Sequence, residues 1–160
     1  MSNPRIFDDL IADHDRQRAL LQRVGDNPGT DQGRRDAFDT LRLELQAHAA
    51  AEEESLYATM LADPELREDA RHSVSEHKEV DDFLGELMDL EFGSSDWDAK
   101  FGEMRHRYEH PIEEEEDEMF PTAEKHLSAA TEERLARTFE ERKPAELARA
   151  EANPPGDERE

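Results

Sequence analysis

Apolar residues recur three and four positions apart in four stretches of this chain, and each stretch runs into a cluster of helix-breaking residues. The first stretch carries Phe7, Leu10, Ile11, Leu21 and Val24, with Asn3 placed to cap a helix and Pro4 at its first position. Gly25, Pro28 and Gly29 then predict a loop over residues 25–31. A second helix is predicted over residues 36–60 from Phe38, Leu41, Leu45 and Leu56, and Asp63-Pro64 ends it. A third, over residues 65–90, has Leu66, Ala70, Ser73, Val80, Leu84 and Leu87 on its stripe. Asp96 reads as the cap of a fourth, whose stripe is Trp97, Phe101, Met104, Tyr108, Ile112 and Met119. A short fifth helix over residues 131–142, capped by Thr131, precedes a polar stretch with Asn153-Pro154-Pro155-Gly156. The predicted class is all-α, with one domain over residues 5–142 and a mobile acidic tail over residues 143–160.

The apolar stripes carry polar residues that a purely structural bundle has little reason to keep. His14, His48 and His77 lie within the first three, Glu52 shares the phase of His48 one turn later, and Glu115 shares the phase of Tyr108 and Ile112. A carboxylate on a buried face costs several kcal/mol or more unless a cation, a proton or good hydrogen bonds meet it. A lone histidine on such a face is more often a satisfied core residue than a ligand. Histidines on several helices, joined by two acids on buried faces, point instead to one interior metal site. The fourth segment has His110 with Glu114 and Glu115 following, but His110 lies roughly 200° from Tyr108 on an ideal helix. It would face inward only if Pro111, which removes a backbone donor, bends or bulges the helix there. His72, His106 and His126 lack such context and read as solvent-facing.

Composition excludes several function classes. The formal charge is -23, from 43 acidic against 20 basic residues, which disfavours nucleic acid or an anionic membrane and favours cations. There is no cysteine, so a metal must take nitrogen and oxygen ligands. No stretch resembles a signal peptide or a membrane span, which leads to the expectation of a soluble cytoplasmic protein. The His-Glu-x-x-His of zinc hydrolases and the Gly-x-Ser-x-Gly elbow are absent. A ferritin-like di-iron bundle needs two Glu-x-x-His elements, and only Glu103-x-x-His106 fits.

Four segments carry a resemblance to a known family: Asp13-His14 with Leu20-Leu21; His48-Ala-Ala-Ala-Glu52 running on to Tyr57; Glu76-His77 with Phe83-Leu84; and Glu109-His110-Pro111 running through an acidic stretch to Phe120-Pro121. Over roughly residues 5–140 the chain resembles the hemerythrin-like, HHE cation-binding proteins. The resemblance implies an antiparallel up-down four-helix bundle holding two non-heme iron ions, bridged by carboxylates and by an oxo or hydroxo oxygen. It implies small ligands such as dioxygen, peroxide or nitric oxide. His14, His48, Glu52 and His77 take ligand roles in helices one to three. In helix four, counting back from Pro121 puts the usual histidine position at Pro111 and makes Glu115 the bridging acid, whereas a four-residue step from His110 gives Glu114. Ser73 stands four residues before His77, where animal hemerythrins have a further histidine.

The expected function is therefore oxygen binding or sensing, or reaction with peroxide or nitric oxide, at a carboxylate-bridged di-iron site. A metal-poor bundle acting as a stress or protein-interaction module is the alternative, because Pro111 occupies a ligand position. A weaker third reading is an iron store that uses the acidic surface.

Overall fold

The structure is a computed structural model that describes residues 5–155, so Asn3 and Pro4 lie outside the described residues. The first helix, α1 (Ile6–Gly25), begins after Arg5, which makes no side-chain cap. α2 (Gln32–Glu52) is capped by Asp31, whose carboxylate accepts from the Arg34 amide, four residues earlier than the apolar stripe suggested. It passes without a break through a π-helical segment (Glu53–Tyr57) into α3 (Ala58–Ala62). α4 (Arg67–Asp89) follows. α5 (Ser95–Glu114) is capped by Ser94 rather than Asp96, with the Ser94 hydroxyl accepting from the Trp97 amide at 3.2 Å. It too runs on through a π-helical segment (Glu115–Met119) into α6 (Phe120–His126). α7 (Ala129–Ala152), capped by Ser128, is the last helix described.

Counted as continuous rods, the described residues therefore make five. The short fifth helix of the sequence reading is 24 residues long and continues ten residues past Arg142, carrying Pro144 inside it. It does so because packing overrides the proline: Leu135, Ala136 and Phe139 join an apolar cluster with α1 and α3, and the widest helix–helix contact in the fold is between α2 and α7. Of the expected tail, residues 156–160 lie outside the described residues.

The core is split into two apolar clusters. One holds Ile6, Phe7, Leu10, Ala51, Leu56, Met60, Phe120 and the α7 residues. The other holds Leu21, Val24, Phe38, Leu41, Val80, Leu84, Trp97, Phe101 and Ile112. The first four rods each contribute to both clusters, and each has a polar interior residue between its two apolar stretches. His14 lies between Leu10 and Leu21, His48 between Leu45 and Ala51, His77 between Ala70 and Val80, and Glu115 between Ile112 and Phe120. A polar layer is thus enclosed between two apolar ones.

α7 also meets α1 through a carboxyl pair. Burial, and then a hydrogen bond and the charge of Glu140, push the Asp9 carboxyl up to about 7. Its folded pKa lies above the ordinary 3.8, so the folded chain holds a proton there that the unfolded chain has lost, and stability falls as pH rises from about 4 through 7. The amide of Asp9→Asn can donate to Glu140 without needing that proton. The variant should melt about 1–3 °C above wild type at pH 8 and level with it at pH 4, as read by thermal denaturation of metal-free protein.

Candidate metal centre

Four side chains converge in the polar layer. His14, His48, Glu52 and Glu115 are all buried, and each offers a ligand atom within 4.8 Å of the others. The imidazoles of His14 and His48 lie with ring centroids 5.0 Å apart. The Nε2 atom of His14 is 3.5 Å from a Glu115 oxygen, and that of His48 is 3.5 Å from a Glu52 oxygen. His77 approaches from the other side, with Nε2 3.1 Å from the same Glu52 oxygen. Glu52 therefore lies between imidazoles from two helices.

The outward ring nitrogens are fixed by a second set of acids. Nδ1 of His14 donates to Glu116 at 2.7 Å, Nδ1 of His48 to Asp13 at 2.9 Å, and Nδ1 of His77 to Glu53 at 3.0 Å. A carboxylate can only accept, so each of these rings, when neutral, carries its proton on Nδ1 and turns Nε2 inward. Each bracing acid is the sequence neighbour of an inner residue on a different helix: Asp13 precedes His14, Glu53 follows Glu52, and Glu116 follows Glu115. Arg18 on α1 in turn holds Glu116 at 2.9 Å.

Both π-helical segments begin at the site. A π turn takes in one extra residue, which shifts the inward face by one position and recurs at functional sites. After Glu115 the buried position is consequently Phe120 rather than Met119, which is only half-buried. After Glu52 the turn brings Tyr57 inside along with Leu56. The Tyr57 hydroxyl donates to Glu115 at 2.7 Å, and its ring stacks on His77 with centroids 5.5 Å apart. The place of the Tyr57 hydroxyl at Glu115 follows from the widened turn.

The inner atoms are short of partners. His14 Nε2, His48 Nε2, both oxygens of Glu52 and one oxygen of Glu115 are buried without a hydrogen bond among the described residues. The charge balance of the metal-free chain reflects the crowding. Burial and then the Glu52 charge push the Glu115 carboxyl well up. Burial would also raise Glu52, but the charge of His48 and the close approach of the His48 and His77 rings hold it well down. Burial would lower His77, but the carboxylates of Glu52 and then Glu53 beside it push it up to about 9. Burial lowers His14. The layer thus holds protons where a cation would satisfy the same oxygens and nitrogens.

His110 and Glu114 are not brought to this cluster. The His110 side chain is 70% exposed and pairs with Glu114 at 2.9 Å on the outer face of α5. The helix continues through Pro111 in α-helical form, and it widens only from Glu115, after His110 has already pointed outward. His72 and His106 are exposed, and His126 faces Asp63 and Glu65 at the surface. Ser73 and Pro111 instead flank His77: both line a cavity of about 10 Å³, room for roughly one water, together with His14, His48, Tyr108 and Glu115. The same Ser73, Glu76, Pro111 and Glu115 border a surface groove of about 150 Å³ between α4 and α5.

Comparison with known proteins agrees with this arrangement. The family model for the hemerythrin HHE cation binding domain matches residues 5–123. The fold is similar to that of a crystal structure from Mycobacterium kansasii, of a hemerythrin HHE cation binding domain-containing protein. That likeness has a TM-score of 0.78 and 23% identity, and covers 95% of this chain and 91% of the other. No curated protein sequence matches. No helix among the described residues is long and apolar enough to cross a membrane. With a buried His and Glu cluster able to hold a metal ion at the centre of a matching helical fold, the chain belongs to the hemerythrin HHE cation-binding family.

Proposed function

We propose that this chain is a non-heme di-iron protein that binds or senses dioxygen, or reacts with peroxide or nitric oxide. The observation that carries the reading is the set of unpartnered buried atoms at the site: two imidazole nitrogens and three carboxylate oxygens turned toward each other in a dry interior. Neither oxygen of Glu52 has a hydrogen-bond partner among the described residues, and imidazole with carboxylate is a donor set suited to iron. His14, His48 and His77, with Glu52 and Glu115, are the residues that would hold the iron. Iron held there would supply exchangeable coordination positions and one-electron steps for a small oxidant or gas.

The protein's own groups support that use. Tyr57 offers a hydroxyl hydrogen at Glu115, inside the site. The cavity beside His77 and Pro111 has room for about one water, and the α4–α5 groove is bordered by the same Ser73, Pro111 and Glu115. Apolar layers on both sides exclude bulk water. Absorbance tests the proposal: iron-loaded, air-oxidised protein should show ligand-to-metal charge-transfer bands in the near-ultraviolet that His77→Ala removes or shifts. A wild type that stays colourless after loading would sink it.

A specific observation favours a second reading. The His77 side of the site is ligand-poor, because Ser73 and Pro111 offer no ring there and His110 stays outside. A metal-poor or mononuclear protein acting as an interaction module would fit that side. Chelator-indifferent melting with less than one metal per chain would favour it.

A further inference from the structure

We propose that Lys143, from the middle of α7, is a positioning residue for the metal centre: it locks Asp13, and through Asp13 the ring of His48. This rests on the metal-site reading but concerns a helix outside residues 5–123, the segment the family model matches.

Lys143 is a buried lysine, 9% exposed, and a buried ammonium is tolerated only where it is well paired. Its Nζ donates to Asp13 Oδ2 at 2.7 Å and to Glu44 Oε2 at 2.9 Å, joining α7 to α1 and α2. The same Asp13 oxygen accepts the Nδ1 hydrogen of His48 at 2.9 Å. Asp13 Oδ1 is taken by Arg16 at 2.9 Å, and Arg16 also reaches Glu44 at 3.3 Å. Both oxygens of Asp13 are therefore filled, and its carboxylate has one orientation in which to receive His48. That fixes which ring nitrogen of His48 carries hydrogen and leaves Nε2 bare toward Glu52. One turn earlier on α7, Phe139 meets the edge of the His48 ring, with centroids 5.9 Å apart and planes at 76°, so the same helix sets both the tilt and the tautomer.

Outer partners of a metal-bound imidazole act on affinity by orienting the ring, typically by about 10- to 100-fold. Without Lys143, Asp13 would face Glu44 with one cation instead of two and could turn away from His48. The role is positional, since Lys143 itself reaches neither Glu52 nor Glu115.

The test combines two readouts. In metal-free protein labelled with ¹⁵N-histidine, at a pH high enough to keep the ring neutral, the ring shifts of His48 report its tautomer. In anaerobic competition against a chelator, Fe(II) alone reports affinity. Lys143→Met should move the His48 ring away from a single Nδ1–H form and weaken Fe(II) binding about 10- to 100-fold, while Lys143→Arg, which keeps a cation over Asp13, should restore both. Should Lys143→Met fold poorly, Lys143→Met with Glu44→Gln removes the orphaned acid and is read in the same way. Wild-type tautomer and wild-type affinity in the methionine variant would overturn the proposal. If wild type itself takes no Fe(II), the metal-site reading has failed, and the tautomer comparison alone decides whether Lys143 positions His48.

Discussion

Glu52→Ala is expected to leave the chain unable to retain iron. Glu52 is 0% exposed, has neither oxygen hydrogen-bonded, and stands 3.5 Å from His48 and 3.1 Å from His77, so it touches both sides of the site. Its removal takes away the shared oxygens and much of the negative charge that would balance the ions. The loss of affinity should exceed the roughly 10- to 100-fold of an outer-sphere change. Two measurements check it. Iron content after loading and desalting should fall below one per chain, and the melting temperature should no longer rise with iron. For wild type, iron at about 100 times its dissociation constant would add about 2.7 kcal/mol to stability. Retention of two irons by the variant would remove Glu52 from the centre of the account.

Trp97→Ala has the largest expected effect on stability itself. The ring is 1% exposed, stacked on Phe101 at 5.3 Å, edge-on to Phe92 at 4.7 Å and to Phe38 at 5.0 Å. The Arg34 guanidinium lies 5.1 Å from the Trp97 ring centroid; Arg34 is itself buried and bonded to the carbonyls of Val24 and Gly29 and to Asp98. Deleting the indole opens a cavity and strips one face from that guanidinium. A cost of roughly 3–5 kcal/mol follows, lowering the melting temperature by roughly 10 °C. Trp97 belongs to the apolar cluster beyond the polar layer and touches none of the four convergent residues, so iron affinity should stay within about twofold of wild type. Urea denaturation and the chelator competition together separate the two effects.

These two variants divide along the line that could and could not be read in the sequence. The apolar stripes marked His14, His48, Glu52, His77 and Glu115 as interior because helical period is a local property, and the structure has each of them in the polar layer. Helical period also argued that His110 faces outward, and no bend at Pro111 overrides it. What period missed depends on backbone widening or on distant pairing. The π turns after Glu52 and at Glu115 exchange Met119 for Phe120 on the inner face and draw in Tyr57, and nothing in a regular repeat signals an extra residue. The bracing acids Asp13, Glu53 and Glu116 could have been suspected only from their place beside inner residues.

α7 was cut short for a physical reason as well. A proline at 144 after a lysine, in a strongly charged stretch, has the local features of a helix end. Lys143 meets Asp13 across 130 residues, a pairing no local pattern encodes, and it is that pairing which makes a charged residue an interior one.

Elemental analysis, on protein purified without added metal and again after anaerobic Fe(II) loading and removal of excess, tests the central claim most directly. The account predicts two irons per chain after loading. One iron or none would contradict it, because the ligand-poor side around Ser73, His77 and Pro111 would then fail to hold an ion, and the metal-poor reading would stand in its place.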